Sequence, residues 1–473
     1  MVDPSVPSAQ NDTAFLGHPR GLAYLCFTEA WERFSFYGMQ SLLVLYMTQA
    51  LFLPGQMEKI AGMAAYRSAV ETLLGPLSIQ AFAGQTFGFY AGLVYFTPLF
   101  GGWIADRWLG SKRTVILGVL LMTAGHAAMV FDQSFLVALL LLILGSGALK
   151  GNIAAQVGQL YSAADERPAR GFVIFSTAIN IGAVAGPLTC GLLAQIYGWH
   201  AGFGAAGLMM LIALGVYLKG LSHLPEEVQR TRHSTPPRKL SAADWRSVGI
   251  LMIFLVFQVL LGPGYDQQFN MGMVWIDSAV DLQTPFGRVP VAWFVSINSL
   301  GTVLGAFAAI GFWRWQAKRG GEQSDNTKMV VGGLLYGAGT MLMAVGSAVQ
   351  TPGSVSIVFP AVSYFITGVA FTWSWPTWLA VVSRYAPRQI AARMMAAAYL
   401  VAFFAAIIAG YFSRFYETMD PALFWALNAA ACWVGAGLFY LFGPAMTRAL
   451  AANRDQSQEP AILTDYAAFV VAK

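Results

Sequence analysis

Long apolar segments recur along the chain, separated by short polar turns, and few are interrupted by charge. At roughly 20 apolar residues per bilayer crossing, the pattern predicts about twelve helices, starting near residues 21, 80, 113, 136, 170, 200, 247, 290, 328, 356, 390 and 421. One marked change of composition falls at 222–246, where Pro225, Glu226, Glu227, Pro236 and Pro237 accompany a basic cluster. Six predicted spans precede it and six follow. The reading is an all-α membrane protein of two six-helix bundles related by an axis along the membrane normal, with a solute bound between them. Its parts are an N-terminal segment 1–20, a bundle 21–221, a linker 222–246, a bundle 247–450 and a tail 451–473. No strong internal repeat supports the two halves; span count and linker position do.

Composition agrees with the pattern. Of 473 residues 57% are hydrophobic and 11% charged, far from the roughly 25% charged of soluble proteins. A net charge of +5 would fit a nucleic-acid partner, but the basic residues occupy alternate loops: Arg107, Lys112 and Arg113; Arg230, Arg232, Arg238 and Lys239; Lys318, Arg319 and Lys328. That is the positive-inside pattern. It predicts these loops and both termini on the cytoplasmic side of a bacterial inner membrane, with lipid rather than nucleic acid around the protein. The first 20 residues lack the basic-then-apolar pattern of a cleaved leader. Cys26, Cys190 and Cys432 sit in predicted spans at no metal-ligand spacing and read as small buried hydrophobes. No nucleotide cradle, zinc spacing or nucleophile-base set is present, so the chain reads as a non-enzyme without a cofactor, functional as a monomer.

The first span carries the exception to its apolar neighbours. Residues 28–38 read Thr-Glu-Ala-Trp-Glu-Arg-Phe-Ser-Phe-Tyr-Gly, and an ionisable side chain near a bilayer centre costs roughly 2.5–3.5 kcal/mol on insertion scales. On a helix Glu29 and Arg33 are i,i+4 neighbours, and Glu32, Phe36 and Gln40 continue one row. Such a stripe faces a cavity, not lipid. Lys150, within the apolar run 139–157, and Asp266, in span 7, raise the same cost. The economical arrangement gathers Glu29, Glu32, Arg33, Lys150 and Asp266 around a shared cavity, exchanging partners as protons or a substrate anion arrive.

Two motifs carry a family resemblance. Gly101-Gly102-Trp-Ile-Ala-Asp106-Arg107-Trp-Leu-Gly110-Ser-Lys112-Arg113 resembles the loop 2–3 signature of the major facilitator superfamily, a gating and folding element in which Gly102, Asp106, Arg107 and Gly110 are the expected participants. Glu29-x-x-Glu32-Arg33 looks like the first-span motif of proton-dependent oligopeptide transporters. The likeness continues through Tyr95, Lys150-Gly-Asn152, Phe175 to Gly182 and Trp293-Phe-x-x-x-Asn298. It implies proton-driven symport of peptides or modified peptides by alternating access, with the proton gradient as energy source. Proton coupling would fall to Glu29, Glu32, Arg33, Lys150 and Asp266. Substrate contacts would fall to Arg33, Tyr37, Gln40, Tyr95, Lys150, Asn180, Asn298, Phe371 and Trp375.

The pattern departs from the family chiefly in span 10. Relatives place there a glutamate taken to bind a peptide's amino terminus; this chain has Phe371, followed by Trp373, Trp375 and Trp378. An ammonium without a carboxylate partner in low dielectric is costly, so simple free-amine dipeptides are expected to fit poorly. Phe36 replaces a tyrosine, Gln40 a basic residue, Ala398 a tryptophan, and Gly88 stands where animal relatives carry a histidine. Gly182-Ala-Val-Ala-Gly186-Pro187 partly resembles a motif of superfamily exporters. A second reading therefore stands beside peptide symport: carriage of a non-peptide anion, siderophore-like or drug-like compound, possibly outward.

Overall fold

The computed structural model describes residues 12–162, 165–225, 240–321 and 323–456. Within them the chain is almost wholly helical: α1 Arg20–Tyr46, α2 Met63–Leu74, α3 Ile79–Phe96, α4 Pro98–Ile104, α5 Ser111–Ala128, α6 Phe135–Gln159, α7 Pro168–Tyr197 and α8 Trp199–Gly220. There follow α9 Ala242–Leu261, α10 Pro263–Phe269, α11 Met271–Ala279, α12 Trp293–Ala317, α13 Asp325–Val349, α14 Val358–Tyr385, α15 Ala391–Phe412 and α16 Pro421–Gln456. Among the described residues, ten helical stretches are long and apolar enough to cross a membrane. The polar α1 and the shorter α5, which opens on Ser111-Lys112-Arg113, complete the twelve. Each observed span begins within five residues of its sequence estimate, the largest gap being Ala242 against 247. Most of the linker 222–246, including Arg230, Arg232, Arg238 and Lys239, and the tail beyond 456 lie outside the described residues.

Three features were not foreseen. Helix α2 lies in the connection after span 1, flanked by Gly62 and Gly75 in the left-handed region and burying only Met63 and Val70. Two-residue strands β1 Val280–Asp281 and β4 Val355–Ser356 pair in parallel, and β2 Gln283–Thr284 with β3 Gly287–Arg288 form a small hairpin. Span 7 is broken twice. Pro263 starts α10 where its missing N–H breaks the ladder, and Asn270, at φ −109° and ψ −107°, separates α10 from α11.

Packing divides the chain into two units. The first holds the described residues within Met1–Gly75 and Leu93–Thr231, the second those within Pro76–Gly92 and Arg232–Val471. The first half of α3 thus packs with the second unit, not with the bundle 21–221. Small residues explain why: a Cβ at Gly84 would meet Ser413 Oγ at 2.5 Å, and one at Gly88 would meet the Ala406 carbonyl at 2.6 Å. The same contact excludes a histidine side chain at Gly88.

In the first unit α1 packs on α7 through Gly182 and Gly186, whose added Cβ atoms would lie 2.1 Å from the Ala30 carbonyl and 2.2 Å from that of Phe34. Small residues permitting backbone approach are the means of helix association in lipid. The exporter-like run on α7 therefore has a local packing role, and it fixes the turn that carries Glu29 to Arg33. In the second unit Gly301 meets Phe365 and Gly368 meets Asn298 by the same device, joining α12 to α14. Replacing Gly186 by leucine should cost on the order of 1–3 kcal/mol by overpacking, seen as a melting temperature several degrees lower in detergent; an unchanged melting temperature would refute the α1–α7 assignment.

A polar strap precedes α1. Asp12 accepts from the backbone N–H groups of Ala14 and Arg20 at 3.1 and 2.9 Å, and Arg167 donates to the carbonyls of Asp12 and Gly17 at 3.2 and 3.0 Å. His18 is buried, with Nδ1 2.9 Å from the Tyr161 hydroxyl. Burial, assisted by the Arg167 cation, holds its imidazole below the ordinary value. Its contribution to stability is therefore present above pH 6.5, the ordinary value, and is lost as pH falls through the lowered one. Hydrogen exchange at residues 12–18, corrected for intrinsic rates, should accelerate between pH 7.5 and 5, and a His18→Phe variant should remove the difference.

Candidate functional site

The charged residues of α1 stay inside because they neutralise one another. Glu29, Glu32 and Arg33 are 5%, 0% and 7% exposed. Arg33 engages Glu32 through two parallel N–H donors, Nε to Oε2 and Nη2 to Oε1, the latter at 2.7 Å. Its Nε also lies 3.3 Å from Glu29 Oε1. The i,i+4 pair is thus present, but the principal partner is the preceding residue, because the guanidinium stem is long enough to fold back along the helix. One cation shared by two carboxylates leaves one negative charge.

Lys150, on α6, supplies the balancing charge without making an ion pair. Its Nζ has no hydrogen-bond partner among the described residues; it rests 4.3 Å from the centroid of Phe36 and 4.8 Å from that of Tyr95. Phe36 also carries the Arg33 guanidinium at 5.0 Å, so one ring face system serves both cations, an attraction of up to roughly 2 kcal/mol where desolvated. Tyr37, one turn beyond Arg33, acts on the same guanidinium. Glu29 Oε2 is likewise unpartnered. Three ammonium donors and one carboxylate oxygen remain unused in a site of balanced charge. A phenylalanine at 36 offers no hydroxyl to consume either.

Other sequence candidates of this unit are less committed. Gln40 is buried one turn past Phe36. Asn180, on α7, is partly exposed, and its amide donates back to the Ser176 carbonyl at 2.9 Å. In the loop signature Gly101, not Gly102, makes the close approach: its Cβ would fall 2.0 Å from the Gly147 carbonyl, whereas nothing lies within 4 Å at Gly102. Gly110 is required as glycine, at φ 76° before α5. Asp106 and Arg107 are exposed in a π-helical turn, Ala105–Leu109, and Asp106 makes no ion pair among the described residues.

The second unit holds Asp266, Asn298, Phe371 and Trp375. Asp266 sits on the short α10, partly accessible, and forms no ion pair within its unit among the described residues. Asn298 departs from the expected substrate contact. It is 3% exposed and donates to Thr367 Oγ1 at 3.1 Å and the Tyr364 carbonyl at 3.2 Å, while Thr367 bonds Gln268 Oε1 at 2.6 Å. Its amide is spent between helices, a network in which Gln268 and Thr367 gave no sequence signal beyond polarity.

The three tryptophans of α14 diverge because positions i, i+2 and i+5 point different ways on a helix. Trp373 packs on Trp313, ring centres 5.2 Å apart. Trp378 is buried and donates to the Ala398 carbonyl at 3.1 Å, placing an indole beside the residue that replaces a tryptophan. Trp375 continues a ladder: Tyr265 stacks on Phe371 at 5.6 Å, Phe371 on Trp375 at 6.1 Å, and Trp375 meets Tyr399 edge-on at 5.6 Å.

Helices of this number, a broken span bearing an acid and a neutralised charge cluster in the membrane define a multi-pass membrane transporter. The chain belongs to the Major Facilitator Superfamily, whose family model matches residues 34–411. It is 28% identical over 498 residues to the uncharacterized transporter YclF of Bacillus subtilis (strain 168), covering 92% of this chain and 96% of that one. It is 27% identical over 507 residues to the peptide transporter YePEPT of Yersinia enterocolitica, covering 91% and 95%. A di-/tripeptide transporter of Lactococcus lactis subsp. cremoris is 38% identical over 257 residues, 54% of this chain and 47% of that one. Crystal structures of the peptide transporter POT, with sulfate and in a variant form with alafosfalin, each superpose with TM-score 0.81 at 25% identity over 93% of this chain and 98% of theirs.

Because Lys150 balances the residual negative charge of the α1 cluster, Lys150→Met should lower the melting temperature less at pH 6, where a proton can take its place, than at pH 8, while substrate uptake falls about tenfold or more at both. A lower melting temperature with uptake retained would assign the lysine to packing.

Proposed function

We propose that the protein is a proton-coupled symporter of peptides or peptide-like compounds, working by alternating access, with the proton gradient as its energy source. The observation that carries this reading is Lys150 held over Phe36 and Tyr95 with its donors unused, next to a guanidinium already shared by two carboxylates. A substrate carboxylate is the natural occupant for such an ammonium. Its arrival adds a negative charge to a neutral set, and a proton on Glu29 or Glu32 restores neutrality. Protonating Glu32 also loosens its grip on Arg33, giving the anion a second donor. Anion and proton therefore favour each other, which is the energetic condition for symport.

Relatives described as peptide transporters support the choice of cargo, as does the likeness to a transporter crystallised with alafosfalin. The alternation of basic loops supports an inner-membrane protein with both termini in the cytoplasm. A monomer in lipid, with protons and the substrate as its partners and no enzymatic activity or cofactor, is the simplest form of the reading. The aromatic ladder from Tyr265 to Tyr399 favours a second cargo, a larger amphipathic solute recognised through its rings, carried by the same coupling.

The reading is tested in proteoliposomes. An inside-alkaline pH gradient should drive accumulation of a dipeptide such as dialanine or a modified peptide. Glu32→Gln should abolish that accumulation but retain counterflow, because the proton site is lost and the anion site kept. Accumulation by the Gln variant equal to wild type would contradict proton coupling through Glu32. Exchange of a non-peptide solute with no exchange of any peptide would favour the second cargo.

A further inference from the structure

The C-terminal end of α12 takes part in a chain of rings with a cation at either end. Lys328 Nζ lies 4.3 Å over Trp313, Trp313 meets Trp373 at 5.2 Å, and Trp373 meets Phe312 at 6.0 Å. Phe312 then stacks on Trp315 at 5.9 Å, and the Arg319 guanidinium lies 4.4 Å over Trp315. Lys328 and Trp313 are buried, whereas Phe312, Trp315 and Arg319 are exposed. We propose that the exposed end binds a negatively charged phospholipid, with its phosphate on the cations and an acyl chain along α12. The proposal is independent of the cargo that the protein carries.

Positive charge is concentrated at this end and left unspent. Arg314, Lys318 and Arg319 are all exposed, and among the described residues none of the three forms an ion pair; Asp325, at the start of α13, is held by Arg384 at 2.6 Å instead. A helix C-terminus and the positive-inside pattern account for cations here. They do not account for a guanidinium laid on a ring that is itself stacked on a second ring. That stacking seats Arg319 in advance, and a ring attracts a guanidinium without taking its N–H donors, which stay available to phosphate oxygens.

The adjoining length of α12 suits an acyl chain. Leu300, Leu304, Phe307, Gly311 and Trp315 follow one another at helical intervals of three and four, so they share one face of α12, and all are exposed. Gly311 leaves that face open between Phe307 and Trp315, since nothing lies within 4 Å of where its Cβ would stand. From Trp293 to Trp315 the helix rises about 33 Å, close to the roughly 30 Å of bilayer hydrocarbon. The ring chain therefore stands at the level where lipid tails meet head groups, with an apolar lane on one side of it and cations on the other. A soluble phosphate would use the cations and leave the lane without a role, so the arrangement favours a lipid.

Native mass spectrometry of the purified protein in detergent, titrated with dioleoyl phosphatidylglycerol or dioleoyl phosphatidylcholine, reads the affinity of the first lipid bound. Wild type should bind the phosphatidylglycerol about tenfold or more tightly than the phosphatidylcholine. Arg319→Gln should cut that preference about fivefold, Trp315→Leu should cut it similarly because the guanidinium loses its seat, and Arg319→Lys should keep most of it. Arg388→Gln neutralises an exposed cation of the same unit outside the ring chain and should leave the preference unchanged. Melting temperatures identify any variant that fails to fold, and an Arg314→Gln, Lys318→Gln double variant then carries the comparison. Equal affinity of the wild type for the two lipids, or a preference retained in full by Arg319→Gln, would overturn the proposal. An equal drop in Arg388→Gln and Arg319→Gln would also overturn it, reducing the site to the general attraction of a basic surface. Glycerol 3-phosphate that displaced the phosphatidylglycerol at equal concentration would assign the cations to a soluble phosphate and overturn the lipid assignment.

Discussion

Charge neutrality in a medium that cannot solvate charge governs this protein. Glu29, Glu32, Arg33 and Lys150 sum to zero, yet only three of them are locked together. Burying an isolated ion would cost several kcal/mol, and the aromatic faces of Phe36 and Tyr95 hold Lys150 without consuming its donors. A fully paired set would be stable and inert. Leaving one cation held only by rings keeps the set neutral and still reactive toward an anion.

That arrangement places demands on the rest of the first unit. The turn bearing the three charges must be rigid, because a bidentate pair tolerates little displacement. Gly182 and Gly186 answer by letting α7 lie against the backbone of α1 at Ala30 and Phe34, immediately around the charged residues. In the second unit the buried network of Asn298, Thr367 and Gln268 fixes α12 and α14 to the segment that carries Asp266. Polar residues in the membrane thus differ in how far their donors are used: some are spent between helices and others are left over. Asn298 donates to Thr367 and Tyr364, whereas the Lys150 ammonium donates to no described residue.

The sequence made much of this legible. Apolar periodicity located every span, because a bilayer sets element length more strictly than a soluble core does. The expense of charge in lipid singled out Glu29, Glu32, Arg33, Lys150 and Asp266 before any contact was known. What escaped were properties of pairs in space. Helical spacing offers Glu29 as the partner of Arg33, but the guanidinium folds back to Glu32, a choice made by side-chain reach. Phe36 is visible in the sequence only as a lost hydroxyl; its bridging of two cations depends on α6 lying alongside. Adjacent glycines at 101 and 102 are indistinguishable until the helix face they occupy is known, and Asn298 could serve substrate or packing until Thr367 and Tyr364 are found beside it. Short breaks escape too, since Pro263 within an apolar run reads equally as a kink or an end.

The central claim is that substrate anion and proton enter one neutral charge set together. Calorimetry of dialanine binding to the purified protein, in buffers of different ionisation enthalpy, measures protons taken up per substrate bound. The account predicts net proton uptake on binding in the wild type, and none in a Glu29→Gln, Glu32→Gln double variant. Tight binding by the wild type with no proton exchange at any pH between 5 and 8 would contradict it.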